Sequence, residues 1–156
     1  MKLELRKNDR ATYTKDFIEM IEQDGVEPLG LPPQLLPYLR TIKNDPKKMR
    51  RELRQANSDV WEIVVDGVVA GDISIERDRP NEFVISILPK YRNRGIATLA
   101  IRKFLELFPD RRFRLKIRKS NKNAAQVMHI LENCGFVQQG PAGEVINFVK
   151  KRERNT

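Results

Sequence analysis

Residues 83–97 read FVISILPKYRNRGIA, an apolar run that passes through a proline into a basic turn and a glycine. The run Phe83–Leu88 predicts a strand that is apolar on both faces, which is typical of a central strand covered on both sides. The helix after the turn is predicted by a stripe of apolar side chains at Ile96, Leu99, Ala100, Phe104 and Phe108. The alternating residues of Phe113–Ile117 predict the next strand. The stretch therefore predicts a β-α-β crossover.

The turn Arg92–Ala97 links that strand to that helix. Such a turn aims unpaired N–H groups outward at the positive end of a helix dipole, which favours phosphate. Gly95 allows close backbone approach, and Arg92 and Arg94 add positive charge. The turn matches neither the Gly-x4-Gly-Lys-Ser/Thr pattern nor the Gly-x-Gly-x-x-Gly pattern. It predicts a phosphate-binding loop of another kind.

The N-terminal third of the chain is more irregular. Residues Lys2–Arg6 alternate and predict a first strand, and apolar residues four apart predict a helix over about 9–23. Four prolines and a glycine within 26–37 predict a loop or a set of broken turns. A second, very basic helix is predicted over about 45–55.

Two hairpins are predicted on either side of the crossover. Val60–Val65 and Val68–Arg77 are joined by Asp66-Gly67, a dipeptide suited to a type I′ turn. Phe136–Gln139 and Glu144–Lys151 form the second pair.

The last predicted helix lies between the crossover and the second hairpin. Ser120 or Asn121 can cap this helix, which runs to Asn133, and Gly135 suits a left-handed C-terminal cap. The element order predicts an α/β (α+β) domain with a mixed, mostly antiparallel twisted sheet, a central β-α-β crossover and helices on both faces. We expect residues 1–156 to be a single domain, with 152–156 as a frayed tail.

Composition excludes several function classes. The single cysteine excludes an internal disulfide, and with the single histidine it argues against zinc hydrolases, metal sites and Ser-His-Asp chemistry. No apolar run is long enough to span a bilayer and the start is charged, so we expect no signal peptide, no membrane partner and a cytoplasmic location. Cys134 and Trp61 are predicted to pack in the core, and His129 to be a surface or half-buried side chain.

Positive charge is concentrated in one segment. Residues 89–122 contain twelve lysines and arginines and two acidic residues, whereas the whole chain has a net charge of +9. Either a solvated basic face or a site for a polyanion, nucleic acid or a phosphorylated cofactor, fits this segment.

The run Val84–Ala97 resembles the central motif of the GNAT superfamily of acetyl-CoA-dependent N-acyltransferases, Arg/Gln-x-x-Gly-x-Gly/Ala. Asn123-Ala124-Ala125 and Leu131–Phe136 resemble its second motif, and the element order matches from Lys2 to about Lys151. The resemblance implies acetyl-CoA as the acetyl donor, no metal, and transfer to a primary amine that attacks the thioester directly.

The same resemblance implies a set of binding residues. Ile87 and Leu88 would offer backbone groups to the pantetheine arm, and Asn123 a polar contact, with Asn121 as its rival because the spacing to Gly135 is one residue longer than usual. The pyrophosphate would be surrounded by Arg92, Asn93, Arg94, Gly95, Ile96, Ala97 and Thr98. Asn93 stands where the family usually has glycine, and asparagine tolerates left-handed backbone.

The candidate catalytic groups depart from the usual pattern of the family. An ammonium acceptor must lose a proton, and Glu82 is our first candidate for the base and Glu76 the second, although both also fit solvated strand-end carboxylates. Leu131 stands where the family often has a tyrosine that protonates the departing thiolate. A thiol with a pKa of roughly 8.5 leaves as thiolate with little help.

Two other functions stay open. One is a basic nucleic-acid-binding module, which the lack of interleaved aromatic residues disfavours. The other is a degenerate member of the family that binds CoA as a sensor or scaffold. Residues 8–57, which would line the acceptor site, show no recognisable acceptor signature, and a homodimer is left open.

Overall fold

The computed structural model describes residues 1–7, 22–23, 34–42, 44–45, 47–48 and 58–151. The predictions of a helix over about 9–23, of a basic helix over about 45–55 and of a frayed tail at 152–156 lie wholly or mostly outside these residues. Residues 22–23 and 47–48, which are described, are helical. No helix in the described ranges is long and apolar enough to cross a bilayer.

From residue 58 onward, the described elements follow the predicted order. The elements are β1 (Leu3–Lys7), α1 (Leu35–Ile42), β2 (Ser58–Val65), β3 (Val68–Glu76), β4 (Val84–Ile87), a 3₁₀ turn (Pro89–Tyr91), α2 (Ile96–Leu107), β5 (Arg114–Arg118), α3 (Ala124–Asn133), β6 (Phe136–Gln139) and β7 (Val145–Lys150). They form a four-stranded sheet, β1-β2-β3-β4, and a three-stranded sheet, β5-β7-β6. Every strand pair in both sheets is antiparallel, which confirms the mixed α+β class and the mostly antiparallel pairing.

The turn between β2 and β3 has the predicted geometry. Asp66 and Gly67 have φ of 49° and 82°, the two positive values that a type I′ turn needs. The Asp66 carboxylate accepts a hydrogen bond from the Lys2 N–H at 2.9 Å, which ties this turn to the start of the chain beside β1. The turn therefore joins the adjacent ends of β2 and β3, and an irregularity between Ile63 and Val64 shifts the register of that pair.

A cluster of buried aromatic rings packs between the sheets and α2. Phe83, Phe104 and Phe113 are almost fully buried and have ring centroids 5.2 to 5.5 Å apart. Trp61 is 8% exposed and stacks edge-on against Phe104, which confirms its place in the core. Cys134 is also buried in this cluster, as predicted.

The two sheets meet at one end of β4 and β5. Glu82, just before β4, forms an isolated parallel β-bridge with Arg114. All other pairing among the described strands is antiparallel. Beyond the bridge β4 pairs only with β3, so β4 is an edge strand. The prediction of a central strand covered on both sides is wrong in that respect, and Val84 is 38% exposed. The β-α-β crossover thus leaves a gap between β4 and β5.

Two local predictions need correction. Helix α1 extends from Leu35 to Ile42, where broken turns were predicted up to residue 37. Pro37 lies in its first turn, where a missing N–H costs no helical hydrogen bond. Helix α3 is preceded by Asn123 as N-cap and not by residue 120 or 121. Gly135, after its end, has φ of 86°, as the predicted left-handed cap requires.

Candidate functional site

The gap between β4 and β5 is lined by backbone groups that take no part in the pairing within either sheet. On the β4 side, the Leu88 N–H donates to the Ala70 carbonyl at 2.8 Å, and antiparallel pairing alternates along a strand. Ser86 therefore also bonds β3, whereas Ile85 and Ile87 turn their N–H and C=O groups away from β3 and toward β5. The edge of β4 offers donors and acceptors at alternate residues.

The β5 side follows the same rule. The Lys150 N–H donates to the Phe113 carbonyl and the Lys119 N–H to the Glu144 carbonyl, both at 2.9 Å, so the odd-numbered residues of this strand bond β7. Lys116 and Arg118 consequently turn their backbone groups toward β4. At the bridge itself the Arg114 N–H donates to the Asn81 carbonyl at 2.7 Å. The gap is closed at this end and open at the C-terminal ends of both strands.

At the open end, the turn into α2 exposes the helix N-terminus. Asn93 and Gly95 have φ of 63° and 76°, so both adopt the left-handed conformation and Asn93 tolerates it as expected. The Leu99 N–H makes the first helical bond, to the Gly95 carbonyl, so the N–H groups of the preceding turn have no partner within the helix. A Cβ built on Gly95 meets nothing within 4 Å. The turn is an open cradle of N–H donors whose polarity suits a phosphate.

Side chains of the turn are held by neighbouring residues. The Arg92 Nε donates to the Ile87 carbonyl at 2.8 Å, which anchors this arginine between the turn and the end of β4. The Arg94 guanidinium lies 5.9 Å from the Tyr91 ring centroid. Gln126 of α3 donates to the side-chain oxygen of Asn93. Together these contacts bring α3 and two arginines to the cradle.

The backbone and amide candidates differ in how many of their hydrogen-bonding groups already have a partner within the protein. Leu88 uses its N–H on Ala70, and its carbonyl accepts from the Tyr91 N–H at 2.9 Å, so it has little left for a ligand. Ile85, which sequence reasoning missed, faces the gap instead; its position follows from the register of the β3–β4 pair. Asn121 accepts from the Asn123 N–H through its side chain at 2.9 Å. The Asn123 side chain makes no capping hydrogen bond, so it is the better placed of the two amides.

The two carboxylate candidates lie at the closed end. Glu76 ends β3 and Glu82 precedes β4, so the turn between the strands brings them to the same end of the sheet. The Glu82 carboxylate is about one-third exposed and lies 3.7 Å from the Lys116 ammonium. Glu76 is exposed. Of the two, Glu82 is next to the gap.

The position near the end of α3 where the family often has a tyrosine carries an apolar side chain. Leu131 is fully buried in the core, and His129 is exposed. Burial raises the pKa of the Cys134 thiol, against the opposing charges of Arg102 and Lys150. Its sulfur lies 3.6 Å from the Thr98 carbonyl oxygen, as a thiol donor would.

A polar row on the other face of the first sheet was not predicted. The register places Arg6, Glu62, Asp72 and Ser86 directly across four neighbouring strands. Glu62 is fully buried, and the Arg6 guanidinium donates to its carboxylate at 2.7 and 3.2 Å. The signal in the sequence is an acidic residue inside the apolar run VWEIVV. The row therefore places the side chains of Glu62 and Asp72 on the face of the first sheet opposite to the Phe83 ring.

The fold of this chain is similar to that of several solved structures. The chain is similar in structure to spermidine N-acetyltransferase from Vibrio cholerae in complex with CoA and spermine, at 16% identity and a TM-score of 0.62 over 94% of each chain. It is also similar to the PaiA N-acetyltransferase from Thermoplasma acidophilum in complex with coenzyme A, at 17% identity and a TM-score of 0.58 over 97% of this chain and 99% of that one. The microcin C7 self-immunity acetyltransferase, in complex with acetyl-CoA and AMP, matches at 17% identity and a TM-score of 0.61 over 94% and 92%.

These structures share the fold at low identity, and no curated protein matches the chain significantly in sequence. A family model provides the sequence evidence, because the acetyltransferase (GNAT) family matches residues 28–136, more than half of the chain. That match contains both motifs from which the resemblance was drawn. The chain belongs to the acetyltransferase (GNAT) family.

Proposed function

We propose that this protein transfers the acetyl group of acetyl-CoA to a primary amine. The observation that carries the proposal is the gap between β4 and β5, whose open end meets the N-terminal cradle of α2 at Gly95. A long ligand with phosphates at one end and amides along its length fits such a site. Three structural relatives were crystallised with CoA or acetyl-CoA.

Different groups of this chain bind different parts of CoA along the gap. Donors at the start of α2, with Arg92 and Arg94, hold the pyrophosphate, since a helix N-terminus and guanidinium groups both favour phosphate. The N–H and C=O of Ile85 and the N–H of Ile87 hydrogen-bond the amides of the pantetheine arm, as a neighbouring strand would, while the Ile87 carbonyl holds Arg92. Asn123 adds a side-chain contact near the same end. When bound, acetyl-CoA supplies an activated acyl thioester.

The acetyl group would reach toward the closed end, where Glu82 lies. Glu82 accepts a proton from the acceptor ammonium, directly or through a water, and an N–H of β4 stabilises the oxyanion that forms as the amine attacks. The thiolate leaves without a tyrosine acid, because a thiol of pKa about 8.5 is a good leaving group near neutral pH. Glu76 is the second candidate for the base. The acceptor is an amine, as it is for the spermidine acetyltransferase.

The experiment compares two glycines of equal strain. Gly95 and Gly140 both have φ of 76°, and a Cβ on either meets nothing within 4 Å. Gly95→Val and Gly140→Val should therefore lower stability by similar amounts, about 1–2 kcal/mol. Only Gly95→Val should abolish the rise in melting temperature that acetyl-CoA produces, because its side chain blocks the cradle.

Turnover is measured separately by thiol release from acetyl-CoA over a panel of amines. Equal loss of CoA binding in both variants, or none in Gly95→Val, would remove the Gly95 turn from the site. CoA binding without turnover on any amine class would refute the transfer reaction and leave a CoA sensor or scaffold.

A further inference from the structure

A second concave surface lies at the far end of α2, away from the Gly95 turn. It is a cleft of about 680 Å³ formed by the C-terminal end of α2, the segment after it and the start of β5. Helix α2 has twelve residues, so its two ends are about 18 Å apart along the helix axis. The cleft is therefore remote from the proposed phosphate end of the CoA site, and it adjoins only the closed end of the gap, at the Glu82–Arg114 bridge.

Three arginines from the basic segment line this cleft: Arg111, Arg112 and Arg114. Asp110 is the acidic side chain among its described lining residues, so two positive charges are left uncompensated. Binding of CoA at the Gly95 turn accounts for Arg92 and Arg94 but not for this group. The cleft therefore contains three arginines of the basic segment that CoA binding does not explain.

Two of the arginines are held in position by the protein. The Arg111 guanidinium stacks 4.5 Å from the Phe108 ring centroid, and one of its Nη atoms donates to the Pro80 carbonyl at 3.2 Å. Arg112 donates through Nε to the Lys150 carbonyl at 3.4 Å. These contacts fix both guanidinium groups while leaving several of their five N–H donors for a ligand.

Arg114 differs from its two neighbours. It is exposed, and no hydrogen bond or ion pair of its side chain is found within the described ranges. The nearby carboxylate of Glu82 pairs with Lys116 instead, at 3.7 Å. Arg114 therefore faces the cleft without an acidic partner there.

We propose that this cleft binds a small organic anion through its carboxylate or phosphate groups. A guanidinium fork matches either group with two parallel hydrogen bonds. The volume lies within the range of small-molecule sites, roughly 300–1,000 Å³. The amides of Asn81 and Gln139 and the apolar side chain of Leu107 complete a lining that suits an organic ligand.

A single-stranded nucleic acid suits the cleft less well. Such ligands stack their bases on exposed aromatic rings. Here the Phe108 ring is covered by Arg111, and Phe113 is fully buried. The surface supplies charge without a stacking platform.

The test uses citrate and inorganic pyrophosphate as probes, in isothermal titration calorimetry with the full chain saturated with CoA. At least one of the two probes should bind, and the pair distinguishes carboxylate from phosphate as the preferred group. Arg114→Gln should weaken that binding at least tenfold, because it removes a charge-assisted contact without breaking one inside the protein. Lys103→Gln removes the same charge from exposed α2 outside the cleft and should change binding less than twofold. Arg114→Lys should remain several-fold weaker than the unaltered chain, since lysine keeps the charge but not the fork.

Three results would overturn the proposal. The first is that neither probe binds when CoA is saturating. The second is equal weakening by Arg114→Gln and Lys103→Gln, which indicates diffuse charge and no defined site. The third is binding of single-stranded RNA alone, with a steep dependence on salt.

Discussion

Replacing Gly71 by alanine tests how closely β3 must approach β4. A Cβ at this position would lie 2.0 Å from the Ser86 carbonyl oxygen and 3.0 Å from the Ile87 Cα. Both contacts are with backbone, so no side chain can rotate away. To restore an ordinary contact of 3.4 Å, β4 must move by more than an ångström from β3.

The cost follows from that displacement. Overpacking typically costs 1–3 kcal/mol, and one or two weakened ladder hydrogen bonds, such as Leu88 N–H to Ala70 O, add about 0.5–1.5 kcal/mol each. The expected loss is about 1.5–6 kcal/mol, against the roughly 5–15 kcal/mol by which a typical domain is stable. Over most of that range the Gly71→Ala protein folds, with a melting temperature about 3–24 °C lower.

The assay is thermal unfolding followed by circular dichroism, with CoA titration of each variant at a temperature where it is folded. Gly143→Ala is the matched control, because its Cβ meets nothing within 4 Å and its φ is not positive. It should change stability by less than about 0.5 kcal/mol. Gly71→Ala should also weaken CoA binding, since Ile87 and Arg92 move with the edge of β4. Equal melting temperatures for the two variants would refute the close approach.

Three further predictions concern the proposed chemistry and the buried thiol. Glu82→Gln should lower kcat/KM by about 10²-fold, and a change confined to KM would reassign Glu82 to acceptor binding. Because residue 131 is not a tyrosine, the pH–rate profile of the unaltered chain should rise to a plateau with no falling limb near pH 9–10. Arg92→Ala should weaken CoA binding about tenfold to hundredfold by calorimetry, whereas the exposed Arg79→Ala should not, and equal effects would contradict a local role. Because burial raises the pKa of the Cys134 thiol, its alkylation at pH 8 should be at least about tenfold slower in the folded chain than in urea, and equal rates would contradict that burial.

Features that depend on neighbouring residues were predictable from the sequence. The type I′ turn at Asp66-Gly67 and the left-handed Gly135 follow from local backbone preferences, and both have the expected φ. The strand Arg114–Arg118 shows its buried and exposed faces by alternation alone. The turn Arg92–Ala97 was also identifiable from the sequence as a candidate phosphate site, because its glycine and its arginines are close together in the chain.

Features that depend on distant partners were not predictable in the same way. An edge strand beside a gap and a central strand can have the same apolar run, so Phe83–Leu88 did not reveal that β4 lacks a neighbour. The assignment of Ile85 and Ile87 to the gap requires the register with β3, which no local pattern states. Glu62 becomes a buried partner of Arg6 only through the pairing of β1 with β2.

The gap between β4 and β5 also bears on how the protein avoids self-association. An exposed sheet edge is a template for strands from other molecules, and proteins usually protect it with charge, proline or a covering element. Here two inner edges face each other and are joined at Glu82–Arg114, so an incoming strand would have to enter a wedge that is closed at one end. Lysine and arginine at 116 and 118 and proline at 89 border that wedge. The opening that we propose for a slender amide-bearing arm therefore also discourages the pairing that leads to aggregation.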